Sequence, residues 1–249
     1  MIHQLGQNFE SDEFTALGNT CAENIKAPEP DSVISSLEAP VYPAAAFGVV
    51  SGSLAPNGAL IKVSAASKEL LVHTGKAVVF HGYEDMRSRI DDENLAITKD
   101  SILILNNCGP VGVPGMPEWG MIPIPKRLLA QGVTDMVRIS DARMSGTSFG
   151  TCILHVSPES AVGGPLGIVR DGDVIELDVP AGKLNLLIDE AERSARVRDW
   201  KAPTSAHLRG WPALYQQHVL QADQGCDLDF LRPTSPQARR FVPPVVGRS

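Results

Sequence analysis

From Ala44 to Ile188 the sequence repeats one pattern: a short apolar, β-prone run closed by turn residues. The runs are Ala44–Val50, Ala59–Val63, Ala77–His81, Ser101–Leu105, Met136–Ser140, Thr151–His155, Leu166–Val169, Asp173–Leu177 and Lys183–Ile188. Short runs bounded by Gly, Pro, Asn or Asp read as strands. Pro56-Asn57-Gly58 and Asp171-Gly172-Asp173 are turn chemistry, with Gly supplying positive φ. So many short strands with few helices do not fit the strict β-α-β alternation of a doubly wound sheet. No G-x-G-x-x-G leads from a strand into a helix, which disfavours a dinucleotide-binding fold. The pattern predicts an α+β domain, a β-barrel or sandwich flanked by helices.

Four helices are expected. Tyr83 to about Leu95 places Tyr83, Met86 and Ile90 at helical spacing. Pro125–Gln131 begins with proline and stops before Gly132. About Asp189–Trp200 is rich in Glu and Arg and reads as a surface helix, and about Pro212–Ala222 as a fourth. Residues 1–40 are polar and broken by Pro28, Pro30 and Pro40, an irregular lead-in. The expected organisation is this lead-in, a β-barrel/α domain over 41–200, and a helical extension with a loose tail over 201–249.

Hydrophobic residues make up 43% and charged residues 20%, so a sizeable core is available. The net charge is −7 with scattered basic residues, which excludes an electrostatic footprint for nucleic acid. No apolar run has bilayer-spanning length, and the first ten residues lack a secretory pattern, so a cytoplasmic protein without membrane contact is expected. Cys21, Cys108, Cys152 and Cys226 show no C-x-x-C spacing and read as free thiols.

Two segments carry chemistry. Asn106–Gly120 follows an apolar run, is dense in Gly and Pro, and ends near Glu118. Such a loop can fix one carboxylate for a hard cation such as Mg²⁺; the same spacing also fits a solvated loop acid. Ile139–Gly150 contains Ser145, Gly146 and Thr147 just past a strand. A serine there can act as base or nucleophile if it is activated, or its hydroxyl can simply bond a turn. It is not a G-x-S-x-G elbow, because residue 143 is Arg.

Taken together, Pro114-Gly115-Met116-Pro117-Glu118-Trp119-Gly120, Ser140-Asp141-Ala142-Arg143-Met144-Ser145-Gly146-Thr147, His155-Val156-Ser157-Pro158-Glu159 and Ala161-Val162-Gly163-Gly164-Pro165 resemble the C-terminal domain of the IlvD/Edd dehydratases. The likeness runs from about Leu17 to about Leu231. The motif forms look most like the sugar-acid branch, of arabinonate and xylonate type, whereas the branched-chain amino-acid enzymes tend to carry Asp-Gly-Arg-Phe-Ser-Gly in the second motif.

The resemblance implies a β-barrel swivelling domain like that of aconitases. It implies a hydro-lyase that converts a 2,3-dihydroxy sugar acid to a 2-keto-3-deoxy acid, using Mg²⁺ and an iron–sulfur cluster, often [2Fe–2S]. By motif match Ser145 takes the role of base, Glu118 that of one Mg²⁺ ligand, and Thr147 that of a substrate contact. Asp141 and Arg143 are expected to pair and shape their loop, His155 to be a hydrogen-bonded core residue, and Cys108 to pack. In the family the cluster cysteines and the other Mg²⁺ ligands belong to an N-terminal domain, and none of the four cysteines here matches a cluster position. The chain is therefore expected to need that domain as partner, or to self-associate through the face the domain would cover. The alternative is a catalytically inactive fragment that serves as a binding or interaction domain.

Overall fold

The computed structural model describes residues 46–205 and 207–231, together with Thr20, Glu23 and Ala39. The chain divides into two compact units, Met1–Ala45 and Ala46–Ser249. The lead-in expected over 1–40 and the tail beyond 231 lie outside the described residues, save those three. Thr20 and Glu23 bond each other's backbone N–H, the reciprocal arrangement of a capping box.

Eight strands of the second unit form one mixed sheet: β1 (Gly48–Val50), β2 (Ala59–Ile61), β3 (Val72–His81), β4 (Ile102–Asn106), β5 (Arg138–Ser140), β6 (Cys152–Leu154), β7 (Val174–Asp178) and β8 (Lys183–Leu186). Their order is β1-β2-β6-β5-β4-β3-β7-β8. The four strands β3, β4, β5 and β6 are mutually parallel, and the outer pairs are antiparallel. Just past β1, Ser51 bridges Lys183 of β8: its N–H donates to Gly182 O and its carbonyl accepts from Leu184 N–H, both at 2.9 Å. This contact turns the sheet into a nearly closed barrel, the expected α+β architecture.

Burial on both faces of the sheet explains why Ala77–Phe80 of β3 and Ile102–Leu105 of β4 read as unbroken apolar runs. Ala77 and Val79 of β3 and Ile102 and Ile104 of β4 point into the barrel core with Val50, Ile61, Ile139, Ile153, Ile175 and Leu184. Their neighbours Val78, Phe80, Leu103 and Leu105 point outward, into a second core. Helices α1 (Tyr83–Arg89) and α2 (Lys126–Ala130) cover that outer face through Met86 and Leu128. Strand β3 changes partner midway: Val72–Lys76 pair with β7, and Ala77–His81 with β4. Gly75 sits at the change, where a Cβ would lie 2.3 Å from Asp100 O.

Helix α3 (Glu190–Asp199) starts at Asp189, whose side chain caps the Glu192 N–H at 2.7 Å. It lies at the surface as expected, with one side chain turned in: Arg196 is buried and pairs with Asp173 while donating to Ile168 O at 3.1 Å. Helix α4 (Gly210–His218) begins earlier and ends earlier than expected. The run Leu166–Val169 is not a strand: Pro165–Ile168 forms a 3₁₀ turn that drops Leu166 and Ile168 into the core. Gly164 and Gly167 flank Leu166 and let the backbone curl there, so an apolar run this short fits either structure. Among the described residues, no helix is long and apolar enough to cross a membrane.

A buried ion pair anchors the centre of the sheet. Arg138 of β5 and Asp135 meet at 2.8 Å with side chains 2% and 9% exposed. Asp135 also accepts the Thr151 hydroxyl at 2.7 Å and the Ser67 N–H at 3.2 Å. Burial pushes its carboxyl up, but the bonds from Thr151 and Ser67 and the charge of Arg138 outweigh burial and hold it below the ordinary range. Removing one partner of a buried pair strands the other charge, so Asp135→Ala should cost about 3–5 kcal/mol in a urea titration. A carboxyl depressed in the folded state stabilises above its ordinary value of 3.8, and this stabilisation disappears as pH falls through the lower folded value. The stability gap between the unsubstituted chain and Asp135→Asn should therefore close below that pH. A gap that stays constant would show that the charge contributes nothing.

Candidate active site

Because β3, β4, β5 and β6 run parallel, their C-terminal ends at His81, Asn106, Ser140 and Leu154 share one edge of the sheet. Loops at such an edge are where α/β sheets place ligand sites. The glycine-rich loop leaves β4, and the loop carrying Ser145 leaves β5.

Two buried carboxylates fasten these loops. Asp141 accepts the Cys108 N–H at 2.9 Å, the Ser160 N–H at 3.0 Å and the Ser160 hydroxyl. Ser160 Oγ in turn accepts the Asn107 N–H at 2.6 Å. Glu159 accepts the N–H groups of Val111 at 2.8 Å and Gly112 at 2.9 Å, and Gln221 Nε2 at 2.8 Å. Gly109 is needed here, since a Cβ would lie 2.5 Å from Glu159 Oε2. Burial pushes both carboxyls up, while the donors from Ser160 and Cys108 pull Asp141 back and those from Val111, Gly112 and Gln221 pull Glu159 back.

Arg143 joins the two loops. Its Nε donates to Met116 O at 2.7 Å, its carbonyl accepts the Gly120 N–H at 2.8 Å, and its Nη1 lies 3.3 Å from Glu118 Oε1. Arg143 and Glu118 are each about half exposed, at 46% and 45%. The expected pairing of Asp141 with Arg143 is thus replaced. The chain bends at Asp141 and Ala142, so Asp141 turns inward to the loop amides and Arg143 outward to Glu118.

Ser145 and Thr147 share a hydroxyl–hydroxyl hydrogen bond of 3.0 Å, and the Thr147 N–H points to Ser145 Oγ at 3.4 Å. Lys62, just past β2, donates from Nζ to Gly146 O at 2.5 Å. His155 follows β6 with φ 55°, half buried, and its N–H donates to Ala142 O at 3.1 Å. Burial first, and then Arg143, push its imidazole pKa down. A cavity of about 400 Å³ beside His155 is lined also by Asn57, Asp223 and Cys226.

Residues 32–226 match the family described as dihydroxy-acid/6-phosphogluconate dehydratase C-terminal. The chain belongs to that family. Among curated relatives of this dehydratase domain, the 6-deoxy-6-sulfo-D-gluconate dehydratase of Pseudomonas putida is 52% identical over 81% of this chain and 35% of its own length. The L-arabonate dehydratase of Azospirillum brasilense is 50% identical over 88% of this chain and 39% of its own. The L-arabinonate dehydratase of Rhizobium leguminosarum bv. trifolii is 47% identical over 93% and 41%. The chain thus spans 35 to 41% of the length of these relatives.

The resemblance implies Mg²⁺ and an iron–sulfur cluster. Mg²⁺ takes about six oxygen ligands in octahedral array, and Glu118 offers one carboxylate, already ion-paired with Arg143. Among the described residues no three His, Cys, Asp or Glu side chains group closely enough to hold a metal ion. Cys108 is packed in the outer core, as expected, and burial and then Asp141 push its thiol pKa up. Cys152 is buried on β6, and burial lifts its thiol to about 11. Cys226 lies 3.8 Å from Met116 Sδ, and Cys21 is outside the described residues. The described residues do not make a complete site for either group.

The sequence motifs single out Glu118, Ser145 and Thr147 but not Lys62 or the fastening role of Glu159. A Glu after Ser-Pro and before a small-residue run could have flagged Glu159, but nothing local marks Lys62. Hydrogen bonds to a carboxylate contribute roughly 1.5–3 kcal/mol each. Glu159→Ala should therefore speed hydrogen exchange at the Val111 and Gly112 amides by roughly tenfold or more and leave β4 protected. Unchanged exchange would mean that the loop is held by something other than Glu159.

Proposed function

We propose that this chain is the C-terminal portion of a hydro-lyase that dehydrates a sugar acid to a 2-keto-3-deoxy acid. The single observation that carries the reading is the Ser145 hydroxyl on a fastened loop, accepting the Thr147 N–H and sharing a hydrogen bond with the Thr147 hydroxyl, beside a second loop that presents Glu118. The sugar-acid names of the relatives at 47 to 52% identity support the substrate class.

In this reading Ser145, its own proton given up to solvent, takes the proton from C2 of the substrate. The C–H electron pair becomes the C2–C3 double bond. The C3 oxygen leaves with its bonding pair and is protonated to water, and the resulting enol tautomerises to the ketone. Thr147 holds the Ser145 oxygen and contacts substrate. Glu118 would offer one carboxylate oxygen to a Mg²⁺, and such a cation would supply charge neutralisation at the substrate carboxylate. Proton abstraction by a positioned base contributes about 10²–10⁴-fold. The acid that assists C3 hydroxyl departure is not assigned to this chain, so the working enzyme includes the N-terminal dehydratase portion, as one polypeptide or as a partner. Exposed Leu208, Trp211, Leu214, Phe230 and Leu231 support a covered face in the extension beyond residue 200.

The test is a dehydration assay of the intact enzyme on a panel of aldonates, with 2-keto-3-deoxy acid as readout. Ser145→Ala should lower kcat by about 10²-fold or more with little change in KM. Turnover within about threefold of the unsubstituted enzyme would remove Ser145 from the role of base. Absence of dehydration across the panel would leave the non-catalytic, binding-domain reading in its place.

A further inference from the structure

Ser145 has an ordinary serine hydroxyl, which is a poor base until its oxyanion is stabilised. Among the described residues, the hydrogen bonds to its oxygen come from Thr147: a hydroxyl–hydroxyl contact at 3.0 Å and an N–H at 3.4 Å. That N–H belongs to the peptide unit whose carbonyl is Gly146 O, and Gly146 O is the atom that receives Lys62 Nζ at 2.5 Å. One peptide group therefore has an ammonium at its oxygen end and the serine oxygen at its hydrogen end. Drawing charge toward a carbonyl oxygen makes the N–H across the same peptide bond a stronger donor, the polarisation that strengthens chains of hydrogen bonds.

We infer that Lys62 acts through the Gly146–Thr147 peptide to stabilise the Ser145 oxyanion. The inference rests on the reading of Ser145 as base and adds a positioning residue to it. Lys62 is well placed for this because its own backbone is fixed. Ile61 is in register with Ile153 of β6, and Ala65 O accepts the Gly150 N–H at 2.8 Å, so the segments carrying Lys62 and the serine turn are tied twice. The long N–H contact at 3.4 Å shortens as charge builds on the oxygen, as hydrogen bonds to ionised acceptors do. Among the described residues, the other charged or titratable groups placed near this loop are Arg143, Glu118 through its pair with Arg143, and His155 just past β6.

The test reads this field without dehydratase activity. In the full chain with Cys21→Ser and Cys226→Ser, the substitution Ser145→Cys puts a reporting thiol in place of the hydroxyl; Cys108 and Cys152 are buried. Its pKa is taken from the pH dependence of iodoacetamide alkylation, first with Lys62 present and then in Lys62→Met, Lys62→Gln and Lys62→Arg. Arg143, Glu118 and His155 stay constant throughout, so the difference isolates Lys62. Removing the charge in Lys62→Met or Lys62→Gln should raise the thiol pKa by about one unit, and added salt should shrink that difference. Lys62→Arg should restore most of the lowering. Lys62→Gln keeps a donor for Gly146 O, so it reports on charge even where Lys62→Met does not fold. No rise in the neutral variants, or an equal rise in Lys62→Arg, overturns the inference. A chain that dehydrates no aldonate can still show the shift, so failure of the proposed reaction is read separately.

Discussion

A carboxylate sealed from water organises the edge of this sheet. Asp141 is fully buried and satisfies the N–H groups of Cys108 and Ser160 and the hydroxyl of Ser160, which itself satisfies the Asn107 N–H. Those donors come from the loop after β4 and the segment after β6, so one side chain at the end of β5 ties two other segments of the chain to its own. Leaving a buried charge unsatisfied is costly, and each of these bonds is correspondingly hard to break. Glu159 repeats the device one layer out, gripping Val111 and Gly112 and being gripped by Gln221. Exposed Glu118 and half-buried Ser145 lie on loops whose roots are anchored in this way. A site so fixed loses little conformational freedom when a ligand arrives.

The sheet beneath serves the same end. Alternation along β3 and β4 gives the barrel its interior and the helices their seat, so the parallel strands are braced on both faces. The change of partner within β3 lets a parallel half-sheet, which carries the loops, continue into an antiparallel hairpin of β7 and β8. Asp135 and Arg138 then fasten the β5–β6 connection to the 3₁₀ turns after β2 through Thr151 and Ser67. Rigidity at the site is in this sense a property of the whole barrel.

Much of this could be read in the sequence. Eight of the nine apolar runs contain strands, because turn residues mark strand ends by local chemistry. Leu166–Val169 misled because a four-residue apolar run carries no period, and flanking glycines allow it to coil. Glu118, Ser145 and Thr147 stood out through their motifs. Asp141 and Arg143 do not pair as their spacing suggests, because proximity along the chain says nothing about which side of a bend each residue faces. Lys62 was invisible for the opposite reason: it meets Gly146 across 84 residues, through the pairing of β2 with β6. Contacts made by tertiary register leave no local signature.

The barrel is closed by residues far apart in the chain. Ser51 meets Lys183, and nearby Ser53 meets Asn185 across 132 residues. Contacts of such span form late, since the intervening chain must lose its freedom first. A chain emerging from the ribosome therefore holds β1 as an open edge until β8 has been synthesised. Until then its unpaired backbone can join any strand it encounters. A nascent chain halted before Lys183 would therefore carry a bare strand edge that the finished barrel conceals.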